Sequence, residues 1–312
     1  MKKGKYMHSN KIFDTHCHLT DPKFAGEREE IIEGLYEHEV QGFTEIGFDV
    51  PSSEAAVALA EHYEALRQDA EKAMEAGAQE AGISSRIPEV YAAVGIHPDH
   101  ADCLNADACE ALRKLALSKR VVAIGEIGLD YHYTREGIIK RAEKQGQEPD
   151  PEALKTADPD PEIQKQTFRT MLQMARELRL PINIHSRDAA KDTYDILVEE
   201  KGYEQSGIVH CFGYSYEMAK QFVKLGMMIG IGGVVTFKNA RKLVEVAEKL
   251  PIEHIVLETD SPYMAPAPYR GVRNDPGMLP YVAAKIAELK GMKVEDVVRI
   301  TTENAIRVYR LR

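Results

Sequence analysis

The chain has 312 residues with 44% hydrophobic content, which is enough apolar material for one large core. Eight-fold α/β barrels of about 250 residues fold as one domain, so this length does not require a division into domains. The formal net charge of −10 argues against a surface that is basic throughout, although it is compatible with a small basic site for a phosphate.

The cysteines and the first residues exclude further classes of protein. The four cysteines form no Cys-x-x-Cys pair, so neither a zinc ribbon nor a thioredoxin-like site is expected. The basic start, residues 1–5, is not followed by an apolar stretch, and we therefore expect neither a signal peptide nor a membrane span. We expect a cytoplasmic protein with reduced thiols.

Short apolar runs rich in Val, Ile and Gly alternate along the chain with longer segments of helical period. Pro181 and Pro251 follow helical runs and lead into apolar ones, as helix-breaking prolines do. The predicted strands are 12–16, 43–48, 91–97, 121–129, 182–185, 208–211, 227–232 and 255–260. The predicted helices include 27–40, 161–180, 189–201, 216–225 and 239–250.

Apolar strands separated by helices indicate a parallel sheet that is buried on both faces. Eight such units favour a closed (β/α)8 TIM barrel, of the α/β class, over an open doubly wound sheet. No Gly-x-Gly-x-x-Gly motif opens the first unit, which argues against a dinucleotide-binding fold. We therefore predict a single barrel domain over residues 1–312.

Two segments are longer than ordinary connections. The first, 62–88, is rich in Ala, Glu and Gln and is interpreted as an extended or doubled helix. The second, 134–161, contains four prolines and follows the fourth strand, so it leaves from the face where barrel sites lie. It is either a disordered spacer or a lid that contacts substrate.

The first predicted strand ends in two histidines, His16 and His18, that are separated by one residue. Residues i and i+2 of a strand point to the same side, so both imidazoles can reach one metal ion. A solvated or core pair of histidines is the alternative. Four more ligand-type residues lie in or at the ends of later strands, and they are Glu126, His185, His210 and Asp260.

These six residues exceed what one tetrahedral ion needs. Individually, a buried histidine could simply be hydrogen-bonded, and Asp260 before Ser-Pro could form a turn. Together they fit two ions, about 3.5–4 Å apart, that share a carboxylate. Glu126 is the predicted bridge because its strand lies midway around the barrel. The set favours a metallohydrolase over a binding barrel.

Several motifs resemble the signatures of the TatD family of metal-dependent deoxyribonucleases, in order along nearly the whole chain. They are Phe13-Asp14-Thr15-His16-Cys17-His18-Leu19, Val94-Gly95-Ile96-His97-Pro98, Ile124-Gly125-Glu126-Ile127-Gly128-Leu129-Asp130-Tyr131, His185-Ser186-Arg187-Asp188-Ala189 and Glu258-Thr259-Asp260-Ser261-Pro262-Tyr263. The resemblance implies a (β/α)8 barrel with a dinuclear site, the same six ligands, and hydrolysis of nucleic-acid phosphodiesters. The family's Arg-Gly-x-x-Asn motif is present at 270–274, where Tyr269 and Asp275 depart from the usual flanking residues.

We assign catalytic roles to Asp260, which can hold a metal and take a proton from the attacking water, and to the bridging Glu126. His97 either binds phosphate or supports the ligands by hydrogen bonds. Arg270 and Arg273 are candidates for binding phosphate, with surface ion pairing as the alternative. The expected cofactors are two divalent cations per chain. Histidine ligands suit Zn²⁺ or another transition ion such as Mn²⁺, whereas the resemblance implies Mg²⁺.

Three functions are compatible with this sequence. The first is a metal-dependent nuclease that uses a metal-activated water, 3′→5′ exonucleolytic on DNA by resemblance, with DNA or another nucleic acid as substrate. The second is an acyl or amide hydrolase on the same dinuclear site, for example a D-aminoacyl-tRNA deacylase. The third is a barrel that only binds, and the complete ligand set argues against it.

Overall fold

The computed structural model describes residues 11–75 and 86–311. Within them, eight parallel strands form one sheet in which each strand pairs with the next along the chain. The strands are β1 Ile12–Cys17, β2 Val40–Ile46, β3 Glu89–Val94, β4 Val121–Asp130, β5 Ile182–Arg187, β6 Gly207–Val209, β7 Met227–Ile231 and β8 Ile255–Leu257. Positions 1–10, on which the expectation about a signal peptide depends, lie outside the described residues.

The last strand returns to the first through residues that follow both strands. The Asp260 N–H donates to the His16 carbonyl at 2.8 Å, and the His18 N–H donates to the Ser261 carbonyl at 2.9 Å. Cys17 and Ser261 form a parallel bridge. The sheet is therefore a nearly closed barrel, and the predicted (β/α)8 architecture is confirmed.

Helices cover the outside of the barrel. The amphipathic α6 illustrates why, because Phe168, Met171, Leu172 and Ala175 recur at helical spacing and are all buried. The helices are α1 Arg28–Gly34, α2 Val50–Glu75, α3 Ala106–Leu115, α4 Arg135–Gln145, α5 Pro151–Lys155, α6 Pro161–Leu178, α7 Ala190–Glu199, α8 Tyr216–Lys224, α9 Arg241–Lys249, α10 Leu279–Lys290 and α11 Val294–Val308. In the described part of the chain, no helix combines the length and apolarity that crossing a membrane requires.

The strand predictions are correct to within a few residues, with two informative differences. β6 ends one residue before His210, and β8 ends three residues before Asp260. Both predicted ligands therefore lie just beyond a strand rather than in it. The backbone turns there into the left-handed region, with φ of 43° at Cys211 and 54° at Asp260.

Both long segments contain helix. α2 runs to Glu75, and positions 76–85 lie outside the described residues. Residues 134–161 form α4, which Thr134 caps, and α5, which Asp150 caps. These residues are thus helical rather than a structureless spacer. Asp158 forms a parallel bridge with Thr134, so the two ends of this segment lie side by side.

The two ends of the barrel interior differ in polarity. Near the amino ends of the strands, Phe13, Tyr91 and Ile208 form an apolar cluster with Val308 and Tyr309 from the C-terminal region. The Tyr309 hydroxyl donates to the Thr15 carbonyl at 2.8 Å, and this hydrogen bond holds the apolar cluster against β1. The carboxyl ends of the strands hold histidines and carboxylates instead, and the candidate site lies there.

Candidate metal centre

The six predicted ligands meet around the carboxylate of Glu126. Its Oε1 lies 2.8 Å from Nδ1 of His185 and 2.6 Å from Nε2 of His210. Its Oε2 lies 3.4 Å from Nε2 of His16 and 3.7 Å from Nε2 of His18. One carboxylate oxygen therefore faces each pair of histidines.

Asp260 lies on the side of the first pair. Its Oδ1 is 3.6 Å from Nε2 of His18 and 3.8 Å from Nε2 of His16. Three groups of three residues bring their ligand atoms within 4.8 Å of one another, and each group could hold a cation. The groups are His16 with His18 and Glu126, His16 with His210 and Asp260, and His97 with Glu126 and His185.

Backbone and side-chain contacts aim these ligands. The Nδ1 atom of His18 lies 3.0 Å from the Ile46 carbonyl, which leaves Nε2 to face the centre. Gly125 lets β4 pass close to β5, since a Cβ there would lie 2.5 Å from the Asn183 side chain. The buried Asp14 accepts hydrogen bonds from the N–H groups of His16 and Thr259, and so ties the β1 ligands to the turn that carries Asp260.

Burial and charge act against each other in the cluster. Burial alone would lower the pKa of His18, but Asp260 and Glu126 raise it to about 9. Burial likewise opposes charge on His185, and its carboxylate neighbours raise its pKa to about 10. Burial and the neighbouring His16 lower the pKa of His210 to about 4. Glu126 keeps a pKa well below its usual value despite burial, because histidines surround it.

The donor set fits divalent cations. The Nε2 atoms of His16 and His18 lie 3.2 Å apart, and Nδ1 of His185 lies 3.1 Å from Nε2 of His210. Two ring nitrogens so close together can share either a proton or a cation, and a divalent cation would take the place of the proton. Imidazole nitrogens with carboxylate oxygens are ordinary ligands of Zn²⁺ and of related ions. The groups that would hold a cation are His16, His18 and Asp260 on one side and His185 and His210 on the other, with Glu126 between them.

The predicted substrate-binding residues lie in three different settings. His97 belongs to the cluster, with Nε2 3.7 Å from Glu126 Oε1 and Nδ1 2.5 Å from Asp99 Oδ1. Arg270 lies over the ring of Phe237. It lines a small cavity beside the larger cavity that opens above the six ligands, which we call the main cavity. Arg273 forms a 2.5 Å ion pair with Glu27. A role for these residues in substrate binding stays a prediction.

Sequence reasoning missed three residues around the centre. Asp130, the last residue of β4, places Oδ2 3.1 Å from Nε2 of His185. Its signal was available, because it is a carboxylate at a strand end within a quoted motif. Arg187 ends β5, and Asp158 follows α5, and both line the cavity above the ligands. That cavity has a volume of about 1160 Å³.

An eight-stranded parallel barrel with a histidine and carboxylate cluster at the carboxyl ends of its strands is the architecture of metal-dependent hydrolases. The family model described as TatD related DNase matches residues 13–310. The chain therefore belongs to the TatD family of metal-dependent hydrolases.

Relatives and solved structures agree with this assignment. The chain is 36% identical over 301 residues to the uncharacterized metal-dependent hydrolase YabD of Bacillus subtilis, covering 96% of this chain and 99% of YabD. It is 38% identical over 220 residues to the uncharacterized metal-dependent hydrolase YcfH of Escherichia coli K12, covering 70% of this chain and 72% of YcfH. The crystal structure of YJJV, a TatD homologue from Escherichia coli K12, superposes with a TM-score of 0.77 at 25% identity, covering 98% of this chain and 100% of YJJV.

Proposed function

We propose that this hydrolase cleaves phosphodiester bonds of nucleic acids, as a 3′→5′ exodeoxyribonuclease with two divalent cations per chain. The observation that carries the proposal is the position of Glu126, whose two oxygens face two separate histidine pairs. Two cations that share a carboxylate are the arrangement that phosphatases and nucleases use for in-line displacement at phosphorus. The description of the matching family model, a DNase, supports the same substrate.

The chain's own residues supply distinct parts of this chemistry. Bound divalent cations would lower the pKa of water and neutralise charge on the phosphate oxygens. Asp260 has a lowered pKa, because nearby histidines outweigh its burial, and its carboxylate is therefore available to accept a proton. Glu126 connects the two sides of the site, because one of its oxygens faces His16 and His18 and the other faces His185 and His210. Asp99 accepts from Nδ1 of His97 and so directs its Nε2 toward the centre.

The surroundings of the site favour an anionic substrate. Arg187, Arg241 and Lys242 line the main cavity, and Arg270 lines the one beside it. A small neutral ester or amide has no charge for these side chains to bind, whereas a nucleic-acid backbone, of DNA or of a tRNA, carries one charge per phosphodiester. The cysteines, all within the described residues, are free thiols, which agrees with the cytoplasmic location that we propose. We also propose that the chain is a single barrel domain.

The experiment that tests this function is a substrate panel. Purified protein is stripped of metal and assayed with Mg²⁺, Mn²⁺ or Zn²⁺ on single-stranded DNA labelled at its 5′ end, RNA, a D-aminoacyl-tRNA and a p-nitrophenyl carboxyl ester. We expect stepwise shortening of the DNA from its 3′ end. Turnover of the aminoacyl-tRNA or the carboxyl ester without cleavage of DNA would assign the site to acyl or amide hydrolysis instead.

A further inference from the structure

We infer that the smaller cavity beside the metal centre, lined by Lys23, Phe237, Met264 and Arg270, binds the nucleotides next to the scissile phosphate of a single-stranded nucleic acid. This inference deepens the proposed nuclease function and rests on it. We call this cavity the strand-eight pocket, because most of its lining residues follow β8.

The strand-eight pocket lies directly beside the main cavity. Its volume is about 690 Å³, and Met264 lines both cavities. Pro262 and Arg270 belong to the same segment that begins at the predicted ligand Asp260. A strand whose phosphate lies at the metal centre therefore has an adjacent cavity into which its next nucleotides can extend.

Two cations of the pocket are held by aromatic rings rather than by carboxylates. Nζ of Lys23 lies 4.1 Å from the centroid of Tyr263, and the Arg270 guanidinium lies 4.3 Å from the centroid of Phe237. Among residues 11–75 and 86–311, neither cation has an ion-pair partner. Their charges are thus free to meet phosphate.

Aromatic side chains in and beside the pocket give it a way to hold bases. Tyr263, which lines the main cavity next to the pocket, is 49% exposed and has Nζ of Lys23 over its ring. Phe237 is partly buried and lines the cavity with the apolar Met264 and Val272. Proteins that bind single strands without sequence preference combine cations along the backbone with rings on which bases stack. Phe237 in the pocket and Tyr263 beside it supply the rings, and Lys23 and Arg270 supply the cations, whereas a duplex would keep its bases stacked inside.

The charged residues around the opening of the main cavity favour one side of the barrel for the bound strand. The loops after β3 and β4 bring Asp99 and Asp158 to the main cavity. Burial, together with the nearby carboxylates of Asp99 and Asp130, raises the pKa of Asp158 to about 6. The segments that follow β7, β8 and β1 carry cations, among them Lys242 in the first turn of α9, Arg270 and Lys23.

Three charged residues that line the main cavity lie outside this division, namely Asp21, Arg187 and Asp188, and Oδ2 of Asp188 lies 2.7 Å from Nδ1 of His132. Asp21 is on the cationic side, but its carboxylate accepts from the Lys23 backbone N–H at 2.7 Å. Arg187 follows β5 and lies 4.0 Å from Asp130. The cations Lys23, Arg241, Lys242 and Arg270 outnumber Asp21 on the side of β1, β7 and β8, so a polyanion is attracted toward the strand-eight pocket and repelled by the acidic side opposite. A chain that cannot continue across the site presents an end to it, which agrees with exonucleolytic cleavage.

The test is the double variant Lys23→Ala/Arg270→Ala, with Lys119→Ala as the matched control. Lys119 is exposed just before β4 begins, at the opposite end of the barrel. The substrates are bis(p-nitrophenyl) phosphate, thymidine dinucleotide and oligothymidylates of up to about 12 nucleotides. We expect KM for the longer oligothymidylates to rise about 10-fold or more, and we expect the loss to grow with substrate length from bis(p-nitrophenyl) phosphate through the dinucleotide to the longest oligothymidylate.

Salt dependence supplies a second readout that a structural defect would not move. Loss of two phosphate contacts should reduce the slope of log K against log salt concentration by about 1.4 for a single strand. Losses that are equal on every substrate, or a double variant that matches Lys119→Ala, would overturn the inference.

The subsite is also measured independently of turnover. The probe is a 5′-fluorescein oligothymidylate with phosphorothioate linkages, which resist cleavage, and its binding to the metal-loaded protein is followed by anisotropy. If the wild type binds the oligonucleotide but does not cleave DNA, the proposed function fails, and weaker binding by the double variant still supports the pocket. A wild type that does not bind the oligonucleotide, or a double variant that binds it equally well, rejects the pocket.

Discussion

Asp130 Oδ2 lies 3.1 Å from Nε2 of His185, on the side of the imidazole opposite to the nitrogen that faces Glu126. A carboxylate that accepts from the distal nitrogen of a metal-binding histidine fixes the ring and increases its basicity. Asp130 is itself held in place, because its second oxygen accepts from the His132 N–H at 2.7 Å. Asp130 is therefore a positioning residue for the His185 side of the centre.

Asp130→Ala should weaken binding of a divalent cation by about 10- to 100-fold, since His185 would lose both its orientation and a nearby negative charge. Asp130→Asn keeps a hydrogen-bond acceptor without the charge and should lie between this variant and the wild type. A competitive titration against a chromogenic chelator measures these affinities without any assay of activity. Equal affinities for the alanine variant and the wild type would show that Asp130 does not support the site.

Glu126→Gln should abolish hydrolysis and lower the metal content below that of the wild type. The amide is neutral and offers one carbonyl oxygen, whereas both oxygens of Glu126 now face histidines. Elemental analysis and a thermal melt of the same preparation measure the outcome. If the variant holds as much metal as the wild type and turns over at the same rate, Glu126 is not the bridge.

Replacing residues 136–156 with a short Gly-Ser linker should alter KM or substrate choice and leave metal binding intact. The excision is feasible because Thr134 and Asp158 are paired, and it removes α4 and α5 without touching a predicted ligand. Steady-state kinetics on DNA and on bis(p-nitrophenyl) phosphate, together with metal analysis, measure the effect. Unchanged kinetics on both substrates would reject a role for the segment as a lid.

Arg270→Ala and Arg273→Ala should differ, although the two arginines lie three positions apart. Arg273 donates to Glu27 and to the Lys23 carbonyl, so its loss should mainly lower the melting temperature. Arg270→Ala should lower kcat/KM on oligonucleotides by about 10-fold or more and leave carboxyl-ester turnover unchanged. The comparison is made on both substrates for both variants. Equal losses on DNA for the two would mean that the whole loop, rather than Arg270, serves the substrate.

The positions of the candidate ligands could be predicted because they depend on local rules. Alternation along a strand puts His16 and His18 on one side, and parallel strands bring their carboxyl ends together. The structure brings Glu126, His185, His210 and Asp260 to the same place, while their roles as ligands stay predictions. The exact ends of the strands were missed, among them those of β3, β6 and β8, so that His97, His210 and Asp260 follow a strand instead of ending it.

Long-range contacts explain what the sequence could not provide. Arg273 and Glu27 are 246 positions apart, and no local pattern predicts their ion pair. The two helices of 134–161 did have local signals, since Thr134 and Asp150 are capping residues and Pro151 favours the first turn of a helix. High charge and proline content concealed these signals. The pocket of Lys23 and Arg270 joins two distant loops and became visible only in the folded chain.

The most direct test of a metal-dependent nuclease is the release of nucleotides from single-stranded DNA labelled along its length, as metal is added back to stripped protein. Because each oxygen of the Glu126 carboxylate faces its own pair of histidines, we expect no activity without metal and an activity that saturates near two equivalents of divalent cation per chain. Full release of nucleotides by protein verified to be free of metal would contradict the account.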